Sequence, residues 1–110
     1  MLAVKIKSGS EFESIFRTGV RSKGRLVRLL YVNNGTDSLR LGLAVGKRQG
    51  KSHVRNRGRR ILREAFRLSN LKLKSGLSII LGLNSKGLLS KSYDIMEDLN
   101  ALLERNNLTI

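Results

Sequence analysis

The segment Val54 to Leu68 constrains this chain more than any other. It contains no proline, and Val54, Ile61, Leu62, Ala65 and Leu68 cluster on one side at about 100° per residue. A chain that carries it forms an amphipathic helix and must cover that stripe with a core. Asn56, Arg59, Arg60, Arg63 and Arg67 fall within an arc of roughly 100° opposite Val54, Ile61 and Ala65. The segment uses six arginines and no lysine. Arginine's planar fork binds phosphate oxygens in pairs and stacks on bases, so the polar face has the chemistry of a phosphate-tracking surface. A merely solvated basic face is the alternative, and it is weakened because Glu64 is the one acid in the segment.

The rest of the composition points the same way. Twenty-two Lys and Arg against 8 Asp and Glu leave a formal charge of +14 on 110 residues, a self-repulsion that a polyanionic partner relieves. From Arg40 to Lys74 there are twelve basic residues and a single acid. Nucleic acid is the first candidate partner, because each neutralised phosphate releases counterions; an anionic membrane surface is the second. The length suits one domain over residues 1–110, and a hydrophobic fraction of 40% is enough for a packed core. The absence of cysteine excludes a disulfide framework, a thiolate zinc site and a thiol nucleophile. No apolar run is long enough to span a membrane, and Met1 to Ser8 has no signal-peptide pattern, so a cytoplasmic address without a membrane partner is the expectation.

Around that helix the pattern reads as alternating elements. Two overlapping Ser-x-x-Glu boxes, from Ser8 and from Ser10, precede Phe12, Ile15 and Phe16 at i, i+3 and i+4, predicting a short helix to about Gly19. Arg25 to Val32 is rich in β-favouring residues and ends at Asn33-Asn34-Gly35-Thr36-Asp37, a turn signal. Leu39, Leu41, Leu43 and Val45 then alternate with Arg40, Gly42, Ala44 and Gly46, which leaves a face of small residues open to close approach. Leu77 to Leu83 suits a buried strand, and a last helix starts near Ser92 and stops around Asn106-Asn107. The order is α-β-β-α-β-α, with a further short strand around Val20 to Arg25 allowed by the pattern.

The run Arg55-Asn56-Arg57-x-Arg59-Arg60-x-x-Arg63-Glu64-x-Phe66-Arg67 resembles the arginine-rich signature of bacterial ribonuclease P proteins. Lys5-Ile6-Lys7, Glu11-Phe12, Ile15-Phe16 and Gly19-Val20-Arg21 are similar to that family's opening, and Arg40-Leu41-Gly42-Leu43-x-Val45-x-Lys47-Arg48 to the strand before its signature. The resemblance implies an α+β fold, a ribosomal-protein-like two-layer sandwich with a left-handed βαβ crossover, against the general right-handed preference. It implies an endoribonuclease whose catalytic part is a separate RNA subunit, with Mg²⁺ held mainly by RNA and the 5′ leader of precursor tRNA as the segment removed. On this basis Lys47, Arg48, Lys51, Arg55, Asn56, Arg57, Arg59, Arg60, Arg63 and Arg67 are expected at the RNA subunit. Phe12, Phe16, Leu29 and Tyr31 are expected in the leader cleft, where flat side chains tolerate many sequences. Ordinary core packing is the competing reading of the two phenylalanines.

No catalytic residue, protein-held metal or small-molecule substrate is expected. His53 has no evident catalytic partner and reads as a loop residue or phosphate neighbour. Two departures from the family pattern stand out: Gly50-Lys51-Ser52-His53 before the signature, and Gly58, where an aliphatic residue is usual. Gly58→Ala is expected to stabilise the free protein unless the glycine admits RNA backbone. A ribosomal protein, a DNA-binding protein and a self-sufficient ribonuclease are the competing functions; the second lacks a groove-docking module and the third a credible general base.

Overall fold

The computed structural model describes residues 3–45 and 50–110. In chain order the elements are β1 (Val4–Lys5), α1 (Gly9–Thr18), β2 (Val20–Lys23), β3 (Val27–Asn33), β4 (Arg40–Leu43), α2 (Ser52–Leu68), β5 (Leu77–Leu83), α3 (Ser85–Leu88) and α4 (Ser92–Arg105). The expected order is present, including the short strand after α1. The two-residue β1 and the single turn of α3 carry too little periodicity to be read from sequence.

One mixed sheet runs in the order β1-β4-β5-β3-β2. β4 and β5 are parallel, with Leu41 opposite Ile79 and Leu43 opposite Leu81, and α2 is the crossover between them. β5 is buried along its whole length, which explains why it reads as a continuous apolar run. Antiparallel β3 lies on its other side, joined to β4 by the Asn33–Asp37 turn. There Gly35 adopts φ +70° and donates its N–H to Asn33 Oδ1 at 2.9 Å, as the Asx turn chemistry demands.

Side-chain alternation divides the core. The odd-numbered residues of the long strands, Val27, Leu29, Leu77, Ile79, Leu81 and Leu83, pack with Ile61, Leu62, Ala65 and Phe66 of α2 and Ile95, Leu99, Leu102 and Leu103 of α4. This is the sheet-on-helix sandwich. The other face is smaller, with Leu30 and Ile80 packed against Ile6 and Ile15 and with Phe12 and Val32 at its margin, so α1 is the helix that covers it.

Two polar contacts hold this arrangement. Asp98 lies on the core side of α4, and its carboxylate accepts backbone N–H groups from Arg25 at 3.1 Å, Leu26 at 2.8 Å and Val27 at 2.8 Å. It thereby fixes the start of β3. On the other face Glu11 of α1 takes two bonds from Arg40 of β4, at 2.6 and 2.8 Å.

Candidate nucleic-acid interface

Helix α2 turns Ile61, Leu62 and Ala65 inward as the sequence predicts, whereas Leu68 at its C-terminal end is 38% exposed and Val54 is half-buried. Gly58, Ile61, Leu62, Ala65 and Phe66 are buried, while Asn56, Arg60, Arg63 and Arg67 are exposed and Arg59 is half-buried. The arginines differ in what already holds them. Arg60 and Arg63 make no hydrogen bond or ion pair with the described residues, so their forks are available to a ligand. Arg59 donates to Asn56 Oδ1 at 2.9 Å and to the Val45 carbonyl at 3.2 Å, which aligns two polar groups of the stripe. Arg67 pairs with Glu64 at 2.6 Å. The hydrogen bonds from Arg67, aided by its charge, hold the Glu64 carboxyl below its ordinary range, so part of this cation's charge is already compensated.

Arg57 is placed differently. Its Nη1 donates to the Leu88 carbonyl at 2.6 Å and its Nη2 to the Ser90 carbonyl at 3.4 Å. The fork expected at a phosphate thus ties α2 to the turn between α3 and α4. Arg55 donates to Ser52 Oγ at 3.1 Å, and its Nε is buried without a partner among the described residues. Lys51 sits at the N-cap of α2, is exposed and makes no side-chain cap bond. Lys47 and Arg48, expected in the approach loop, lie outside the described residues.

Along the other edge of this stripe runs an open groove of about 530 Å³, lined by Lys5, Phe12, Leu41, Leu43, Arg59, Arg63 and Phe66. Gly42 explains its shape: a Cβ there would stand 2.6 Å from Phe12 Cζ. The small face of β4 is where Phe12 rests its ring. Phe16 is 43% exposed on the same helix. The groove therefore brings together two aromatic rings, Phe12 and Phe66, an apolar strand edge and two arginines of the signature.

Two expected cleft residues belong elsewhere. Leu29 is only 2% exposed and packs into the α2–α4 core, and Tyr31 lies at the margin of that same core. A strand's period of two places Leu30 and Val32, not Leu29 and Tyr31, on the α1 face. Spacing along β3 contains this alternation; which set faces α1 depends on where the larger core forms.

Glu11, Glu64 and Asp98 are engaged as described, and no group of three or more His, Asp or Glu side chains that could hold an ion occurs among the described residues. Nor is any helix among them long and apolar enough to cross a membrane.

Fold and site together define a class: a small cationic α+β protein whose crossover helix presents arginines beside an aromatic groove. The sequence model of the ribonuclease P family matches residues 3–107. A ribonuclease P protein component from Thermoanaerobacter sp. (strain X514) is 42% identical over 77 residues, 70% of this chain and 66% of that relative's length. One from Caldanaerobacter subterraneus subsp. tengcongensis is 33% identical over 104 residues, 94% of this chain and 90% of the relative. Among solved structures, the RNase P protein from Thermotoga maritima superposes with a TM-score of 0.79 at 28% identity, covering 92% of this chain and 96% of that one. The chain belongs to the ribonuclease P protein family, the protein components of an endoribonuclease of tRNA processing.

Proposed function

We propose that this chain binds the catalytic RNA subunit of ribonuclease P through α2 and holds the 5′ leader of precursor tRNA along the α1 groove. In doing so it assists endonucleolytic removal of the leader in the cytoplasm, leaving mature tRNA 5′ ends. One observation carries the reading: Arg60 and Arg63 stand exposed without a partner among the described residues, beside Arg59 and Asn56, on a chain that matches this family over nearly its whole length. Such a row lines up with successive phosphates, and counterion release drives the association. Phe12 and Phe16 offer ring faces to unstacked leader bases, which suits a factor that accepts many leaders. Mg²⁺ held by RNA would supply the activation of water and the charge stabilisation at the scissile phosphate; the protein's share is to orient and neutralise.

The test is 5′ cleavage of a precursor tRNA at near-physiological Mg²⁺ with the cognate RNA subunit, with and without the protein, beside a protein-only control. Stimulation in combination alone is the expected result. Tight RNA binding without stimulation would transfer the chain to a ribosomal role, and cleavage by protein alone would overturn both.

A further inference from the structure

We infer that the turn between α3 and α4 is a second contact surface for the same RNA subunit, in which Tyr93 stacks on an unpaired base with Leu89 packed beside it. The inference rests on the reading that α2 faces that RNA.

Leu89 is 86% exposed and Tyr93 62% exposed, yet the backbone that carries them is tied from several sides. Arg57 bonds the carbonyls of Leu88 and Ser90. Ser90 Oγ donates to the Lys86 carbonyl at 2.8 Å, Asn84 Oδ1 accepts the Gly87 N–H at 2.8 Å, and Asn84 Nδ2 donates to the Arg25 carbonyl at 2.7 Å. Holding two large side chains in water, Leu89 on the braced turn and Tyr93 in the first turn of α4, forgoes burial in the free protein. A ligand that covers them recovers it.

The surroundings identify the ligand as RNA. Lys86 and Lys91 are exposed and make no ion pair among the described residues, and they bracket Leu89 in the chain. Arg57 and Ser90 join α2 and α4 near their N-terminal ends, and Ser69 and Asn100 join them farther along at 2.6 Å, so the two helices run side by side in the same direction. The acids Glu64 and Glu97 lie farther along these helices and Asp94 follows Tyr93; the cations Lys51, Arg57, Lys86 and Lys91 gather at the near end. Arg57 also marks one edge of the α2 stripe, whose opposite edge borders the Phe12 groove. The stripe thus lies between two apolar flanks, a backbone track with a stacking site on each side. A protein partner would need a far broader apolar area than one leucine and one tyrosine among lysines. Arg57 acts here as a positioning residue.

The experiment is equilibrium binding of the cognate ribonuclease P RNA to the full-length protein over a series of salt concentrations. Tyr93→Ala is expected to weaken binding by about tenfold, the scale of one lost stacking contact, and Leu89→Ser by about tenfold through the lost burial of its side chain. They keep the wild-type salt slope, because no phosphate contact is removed, and they melt as wild type does. Tyr93→Phe retains the ring and wild-type affinity. Unchanged affinity in the Ala and Ser variants, while wild type binds, overturns this inference alone. Loss of affinity in Tyr93→Phe overturns it too, as does self-association of the free protein that Tyr93→Ala abolishes. Failure of the wild type to bind this RNA overturns the reading beneath it as well.

Discussion

Gly58 departs from the family's usual aliphatic residue and Asp98 is a carboxylate 6% exposed in the core, and the structure supplies the reason in each case. Asp98 occupies a core position of α4 between Ile95 and Leu102, and it serves three backbone N–H groups at the start of β3. Gly24 allows the approach, since a Cβ there would collide with the carboxylate. Asp98→Ala strands those buried donors and is expected to cost about 3 kcal/mol in urea unfolding. Gly58 faces inward, not toward a ligand: a Cβ would stand 3.1 Å from Leu88 Cδ2 and 3.3 Å from Val45 Cγ1. Leu88 and Val45 occupy the space into which an aliphatic residue would project. The helix-propensity gain of Gly58→Ala, about 1 kcal/mol, is therefore opposed by crowding, and the simple stabilisation expected from sequence gives way to a near balance. Gly58→Leu is expected to lower stability by about 1–3 kcal/mol, and adding Leu88→Ala should recover part of it in a double-mutant melt.

At the scale of elements, α1 is docked by its apolar face and by one ion pair. Hydrogen bonds from Arg40 hold the Glu11 carboxyl below its ordinary value of 4.5, burial opposes them, and the charge of Arg40 adds to the lowering. A carboxyl whose pKa is lower in the folded state stabilises above its unfolded pKa, and that stabilisation fades as pH falls through the folded value. Glu11→Gln should therefore melt below wild type at pH 7, and the gap should close under pH 4.5; a gap that persists in acid would assign it to packing instead. The consequence reaches the groove, because Glu11 precedes Phe12 on the helix that brings its ring onto Gly42. β2, by contrast, is tied to the end of α4, where Arg105 donates to the Lys23 carbonyl at 2.7 Å and Asn106 to Ser22 Oγ at 3.1 Å.

For the molecule as a whole, charge dominates. A net +14 belongs to the chain as a whole; the pairs Arg40–Glu11 and Arg67–Glu64 leave that total unchanged while committing two of its cations to internal contacts. Arg60→Ala combined with Arg63→Ala should flatten the salt dependence of RNA binding by about two phosphate contacts, with the melting temperature held or raised. An unchanged slope, measured by titration across salt concentrations, would remove the α2 stripe from the interface. Arg57→Ala should behave oppositely, lowering stability through the lost tie to Leu88 and Ser90.

The sequence by itself determined the long helices, the buried strand β5, the Asn33–Asp37 turn and the cationic face of α2. Each is written in local periodicity or turn chemistry, which acts over a few residues. The small face of β4 that receives Phe12 belongs with these, while the cap of α1, open between Ser8 and Ser10 in the sequence, is Ser8, which accepts the Glu11 N–H at 3.4 Å. Only the tertiary structure decided that Leu29 and Tyr31 face the large core, that Arg57 is spent on carbonyls 31 and 33 residues away, and that Asp98 reaches back across more than seventy residues. These depend on which sheet face each helix covers and on partners brought close by the β4-α2-β5 crossover. Alternation specifies that two faces exist and leaves their assignment to packing, because both faces of a central strand are apolar.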